Sequence, residues 1–113
     1  MKVVWEETAL QLLESRDRYT RNAIREDFRT NPERDAVEID PALHEFVTPV
    51  AGRRFTVVWR RDAATDTAIV RAVVPLTGVT LEPGAFVNDE ALGNLRAYVH
   101  RAVAAESKGL LDF

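Results

Sequence analysis

Two stretches of sequence decide the fold: Phe55-Thr56-Val57-Val58-Trp59, and Thr67-Ala68-Ile69-Val70-Arg71-Ala72-Val73-Val74. Both are rich in β-branched and aromatic residues, which are enriched in strands. A short loop of small and acidic residues, 62–66, separates them. The pattern predicts two antiparallel strands joined as a hairpin. Pro75 follows the second strand and is expected to end it, because proline has no amide hydrogen to donate.

Further strands are predicted on both sides of this hairpin. Residues 44–50 are extended in character, and Pro49 places them at a sheet edge or at a strand end. Residues 37–40 form either a short strand or a loop, and residues 3–5 read as an opening strand. Together these segments predict an antiparallel sheet of three or four strands. Its hairpins fall between about residues 41 and 75.

Helices are predicted at both ends of the chain. Apolar residues at helical spacing over 9–13 and 23–28, with a polar stretch between them, indicate two helices or one bent helix that ends before Pro32. After a loop at 77–84, a long amphipathic helix is predicted from Asn88 to Gly109. The expected fold is therefore α+β, a single domain over residues 1–113, with a strand, a helical hairpin, the antiparallel sheet and a long C-terminal helix.

Composition narrows the classes of function. The chain has 113 residues, 46% of them hydrophobic, and a net charge of −3, which describes an ordinary solvated domain and not a uniformly basic nucleic-acid binder. It has no cysteine, and its two histidines lack metal-ligand spacing, so we expect no disulfide, no metal and no cofactor. The N-terminus lacks a secretion-type apolar stretch, and no run is long enough for a membrane span. These patterns favour the cytoplasm.

Arginines concentrate in the predicted sheet. Five of them stand between residues 50 and 71, against two aspartates; the arginines are Arg53, Arg54, Arg60, Arg61 and Arg71. Strand alternation places Arg54 and Arg60 on one face, opposite Trp59. Guanidinium groups suit phosphate and carboxylate ligands, so this face is a candidate phosphodiester site. In the alternative interpretation, the arginines pair with acidic residues of the helices or keep the strand edges soluble.

The layout resembles the RelE/ParE superfamily of toxin–antitoxin toxins over about residues 1–75. The resemblance depends on the strand 3–5 followed by Ala9, Leu12 and Leu13, on the helix end at 28–32, and on two strand segments. The two segments are 52–62 and 69–74. In the first, a glycine, an aromatic residue, a valine, a second aromatic residue, an arginine and an acidic residue follow one another in the order typical of the family. Two positions depart from the pattern. Thr56 stands where many members have an arginine, and Pro75-Leu76 stands where they have a histidine-arginine pair.

The resemblance implies a toxin that cleaves RNA, with an antitoxin protein as partner and RNA or the ribosome as target. Arg54, Arg60 and Arg71 are the candidate residues for holding RNA phosphate, and His44 is a candidate for proton transfer. His100 and Tyr98 are further candidates for that step. The alternative is a non-enzymatic interaction module on a degenerate toxin-like fold, which self-associates as a homodimer through the 88–107 helix or binds a partner protein. A small-ligand domain with a pocket between sheet and helix fits as well.

Overall fold

A computed structural model describes residues 1–76 and 89–111. Its elements, in chain order, are β1 (Lys2–Trp5), α1 (Glu7–Glu14), α2 (Arg18–Thr30), β2 (Val37–Asp40), β3 (Glu45–Val50), β4 (Phe55–Asp62), β5 (Thr67–Pro75) and α3 (Asp89–Leu111). This arrangement confirms the α+β class and the order of elements. The predicted loop at 77–84, the cap at Asn88 and the last two residues lie outside the described residues.

The sheet has five strands in the order β1-β5-β4-β3-β2. The β4–β5 hairpin is confirmed, and residues 37–40 are a strand that pairs with β3. The prediction of a purely antiparallel sheet with three or four strands was wrong, because β1 pairs in parallel with the start of β5. This pairing joins segments more than 60 residues apart, which local sequence patterns do not reveal. Val3 pairs with Ala68, and Trp5 pairs with Val70. Val3 and Trp5 pack against a core cluster to which Ala68 and Val70 belong.

Pro49 is the last but one residue of β3, which agrees with the predicted strand end, whereas β3 itself is not an edge strand. In β3 it lies beyond Val47, the last β3 residue whose partner on β2 is given by the register. The missing amide hydrogen therefore takes nothing from the β2–β3 ladder.

The N-terminal helical region is two helices and not one bent helix. The break falls at Asp17, which caps α2: its carboxylate accepts hydrogen bonds from the Thr20 amide at 3.1 Å and from the Thr20 hydroxyl at 2.6 Å. At the other end, α2 stops at Thr30 because Asn31, which precedes a proline, is extended with φ −157°.

Each face of the sheet carries its own core cluster. On one face, α1 and α2 cover Trp59, whose ring meets Phe28 edge-on and stacks on Phe46. On the other face, α3 lays Leu95 and Val99 onto β-strand residues that include Val58. These two α3 residues are 2% and 0% exposed, so the predicted amphipathic stripe packs on the chain's own sheet. Helix α3 also runs past its predicted stop at Gly109, since one helical glycine costs only about 1 kcal/mol.

Within residues 1–76 and 89–111, none of the helices combines the length and the apolar character needed to cross a bilayer.

Candidate functional site

A β-bulge in β5 builds the candidate site. Val58 of β4 faces Ala72, and the next residue, Trp59, faces Val70, so Arg71 has no partner in the register. An extra residue of this kind bends the strand and re-aims side chains, and bulges are frequent beside active sites. Here it turns the consecutive residues Arg71 and Ala72 toward the same face, the one covered by α3.

The bulge opens onto a cleft of about 440 Å³ between this sheet face and the second half of α3. Its floor includes Val58 and Ala72, and α3 supplies the opposite wall. Polar groups converge on it from five places along the chain. They are Glu6 and Thr8 around the start of α1, Glu45 of β3, Arg60 of β4, Arg71 of β5, and His100 and Ser107 of α3.

Glu45 organises one side of the cleft. It faces Arg60 in the β3–β4 register, and its side chain is only 6% exposed. One carboxylate oxygen lies 3.4 Å from Arg60 Nε, and the other lies 3.4 Å from His100 Nε2. A buried carboxylate requires such partners, because an unpaired charge in the interior is costly. Glu45 therefore links the arginine of the sheet to the imidazole of the helix.

Arg71 is held more loosely. Its Nε lies 3.9 Å from a carboxylate oxygen of Glu6, and its side chain is 38% exposed. A long, solvent-exposed pair contributes little energy and can be exchanged for another anion. The charges of the two glutamates balance those of the two arginines.

The predicted site residues are only partly brought together. Arg60 and Arg71 share the cleft. Arg54 lies in the turn before β4 and not in the strand, about 20 Å from Arg60 along an extended chain. There it is exposed, and its Nε donates to the Ala51 carbonyl at 3.0 Å. His44 is exposed in the turn before β3, with φ +52°, and does not line the cleft.

Pairing with carboxylates, the alternative interpretation of the arginine cluster, holds for four of the five arginines. Besides the two pairs of the cleft, Arg53 contacts Asp35 at 2.7 Å, and Arg61 pairs with Glu33. The acidic partners were expected on the helices. They lie instead in β3, in the residue before α1 and in the segment between α2 and β2.

Sequence reasoning missed Glu45 and Glu6 and gave His100 little weight. The alternation of β3 and β4 was a usable signal for Glu45, since an acid on the buried face of a strand needs a cationic partner. Nothing local places His100 over the sheet. Tyr98, the other candidate on α3, donates from its hydroxyl to the Pro75 carbonyl at 2.9 Å and fixes the helix to the end of β5.

The two positions that depart from the RelE/ParE pattern serve packing. Thr56 is fully buried and donates from Oγ1 to the Thr48 carbonyl at 3.0 Å, and Pro75 accepts the bond from Tyr98. In the described part of the chain, no three histidine, aspartate or glutamate side chains are grouped so that they could hold a metal ion.

Comparison with known proteins adds no assignment: the sequence matches no protein-family model, and no curated protein is significantly similar to it.

Proposed function

We propose that this protein is the toxin of a toxin–antitoxin system, similar to the RelE/ParE toxins, and that the cleft binds RNA for cleavage. The observation that carries the proposal is the convergence of Arg60, Arg71 and His100 on one cleft, with Glu45 and Glu6 beside them. Two guanidinium groups can bind a phosphodiester and stabilise its negative charge, and an imidazole can transfer a proton. An antitoxin partner and a cytoplasmic location belong to the same proposal.

The chemistry would follow from these groups. In RNA cleavage the 2′ hydroxyl attacks the neighbouring phosphorus, the bond to the 5′ oxygen breaks, and one proton is removed while another is supplied. His100, oriented by Glu45, is the proton donor to the leaving oxygen, and Glu6 is the carboxylate available to accept the 2′ proton. Arg71 exchanges Glu6 for the phosphate and, with Arg60, stabilises the extra negative charge of the transition state.

The test is inducible expression in a bacterial host, with cleavage sites in total RNA mapped by primer extension. Expression of the unchanged chain should arrest growth and produce new RNA ends. Arg71→Gln should relieve both effects, because its exposed pair with Glu6 contributes little to folding and the variant therefore reports on function. His100→Asn should do the same. Arg60→Ala is the weaker choice, since it leaves the buried Glu45 without its cation.

The matched control is Arg101→Gln, which removes an exposed arginine from α3 next to His100 but outside the cleft. This variant should remain toxic. Harmless accumulation of soluble, unchanged protein would contradict the toxin proposal. So would growth arrest that is equally strong for Arg71→Gln.

One observation favours a second candidate, a non-enzymatic interaction module. Both arginines of the cleft already have carboxylate partners, as they would in a sheet face built for stability. Under this candidate, expression leaves growth unaffected and the partner is a protein. Self-association through the apolar stripe of the 88–107 helix would require α3 to leave the sheet, because Leu95 and Val99 of that stripe are buried there.

A further inference from the structure

Helix α2 carries a second group of arginines, on the opposite side of the sheet from the cleft. Arg18, Arg21 and Arg25 follow i, i+3, i+7 spacing, so they lie on one flank of the helix with about 5 Å between neighbouring turns. Arg29 continues the flank by one turn. The buried face of the helix, formed by Thr20, Ile24 and Phe28, runs beside it. Arg18, Arg25 and Arg29 are exposed, and Arg21 is half-buried.

In the described part of the chain, three of these arginines lack the acidic partners that four of the five sheet arginines have. Within the residues that the structure describes, Arg18, Arg21 and Arg25 form no ion pair, whereas Arg29 is bound to Glu26. Three uncompensated charges on one helix flank stand out in a protein of net charge −3. Solubility alone does not require this, since a surface of mixed sign serves it equally well. A regular row of guanidinium groups complements a polymer with regularly spaced phosphates.

An exposed aromatic side chain adds a second feature. Tyr19 follows Arg18 in the chain and lies about 100° around the helix from it, and it is 76% exposed, the highest value among the described large hydrophobic residues. It therefore contributes little to the core. Aromatic rings beside a cationic track are the means by which proteins stack the bases of single strands. A folded acidic protein segment would use the arginines but has no unpaired bases for the ring.

We propose that the flank of α2 formed by Arg18, Arg21 and Arg25, with Tyr19, binds single-stranded nucleic acid through its phosphates and one stacked base. The site goes beyond the proposed function, because it uses other residues on the opposite face and needs no catalysis. If the protein is a toxin, the flank holds a distant part of the substrate strand. If the cleft proves inactive, the flank binds all the same.

The experiment measures fluorescence anisotropy of labelled single strands of about 12 nucleotides, one of RNA and one of DNA, titrated with the full chain. Three phosphate contacts predict a slope of about −2 for log K against log salt, so binding should weaken about 20-fold from about 50 mM to about 200 mM salt. Comparing the affinities for the RNA and the DNA shows which of the two nucleic acids the flank prefers.

Two sets of variants test the residues. Replacing Arg18, Arg21 and Arg25 together by glutamine, which keeps helix propensity, should abolish most of the binding and flatten the salt dependence. The matched control replaces Arg34, Arg101 and Lys108 by glutamine, the same loss of charge from exposed positions elsewhere, and should bind as the unchanged chain does. Tyr19→Ala should weaken binding about tenfold, and Tyr19→Phe should not.

Three results would each overturn the proposal. The first is no binding of either strand by the unchanged chain at about 50 mM salt. The second is equal loss in the two triple variants, which would mean that overall charge alone is responsible. The third is a silent Tyr19→Ala together with competition by polyglutamate as strong as by unlabelled strand, which would make the ligand an acidic polypeptide. Urea unfolding of each variant separates lost binding from lost fold.

Discussion

Glu45 and Arg60 face each other across the β3–β4 pair, and their carboxylate and guanidinium groups lie 3.4 Å apart. The glutamate side chain is 6% exposed and the arginine 34%, so the pair is a buried anion covered by a half-buried cation. Glu45 also contacts His100 at 3.4 Å, so the same carboxylate holds a group of the sheet and a group of α3.

This asymmetry predicts unequal effects on stability for the two arginines of the cleft. Arg60→Ala leaves the buried carboxylate of Glu45 with His100 as its remaining partner and should lower the free energy of unfolding by about 2 kcal/mol. Arg71→Ala breaks only an exposed 3.9 Å pair and should cost about 0.5 kcal/mol. Urea denaturation followed by circular dichroism measures both. Equal losses, or a larger loss for Arg71→Ala, would show that Glu45 does not depend on Arg60.

A buried hydroxyl should matter to the first core cluster. Thr48 Oγ1 donates to the Pro32 carbonyl and accepts the indole N–H of Trp59 at 2.9 Å. Thr48→Val keeps the volume but leaves both partners unsatisfied, which should cost about 2 kcal/mol and alter the fluorescence spectrum of Trp59. Thr48→Ser retains the hydroxyl and should restore most of the stability. A valine variant as stable as the serine variant would rule out this role of the hydroxyl.

Stability should depend on pH through the cap of α2. The hydrogen bond from the Thr20 side chain, and then the one from its amide, hold the pKa of Asp17 below its ordinary value of 3.8. A carboxyl whose pKa is lower in the folded state contributes stability above its unfolded pKa, and this contribution is lost as the pH falls through the folded pKa. Asp17→Ala should therefore lower the urea midpoint at neutral pH and have a smaller effect at about pH 3. Asp17→Asn, which caps without titrating, should lack this acid-dependent change, and a constant deficit for Asp17→Ala would refute the assignment.

If the protein is a toxin, substitutions of the two histidines should have different effects in a growth assay. His44 is exposed outside the cleft at φ +52°, a conformation that asparagine also accepts, so His44→Asn should keep both fold and toxicity. His100→Asn removes the imidazole beside Glu45 and should abolish RNA cleavage. Loss of activity in His44→Asn with an unchanged melting temperature would indicate that His44 transfers the proton.

Much of the secondary structure could be predicted from the sequence, because local sequence patterns depend on local backbone geometry. Alternation along β4 placed Trp59 on the face opposite Arg60, and Pro32 predicted where α2 ends. These signals arise within a few residues of chain, where backbone preference and side-chain period act directly.

The site itself depended on contacts between distant parts of the chain. Arg71 enters the cleft because its strand slips by one residue against β4, and His100 meets Glu45 because α3 packs across the sheet, 55 residues along the chain. The parallel pairing of β1 was hidden for the same reason. The sequence by itself determined which segments are helix or strand and which side of each is apolar. Only the tertiary structure decided which charges share a cleft. Strand register and the position of α3 depend on the packing of the whole core, so no local sequence pattern indicates them.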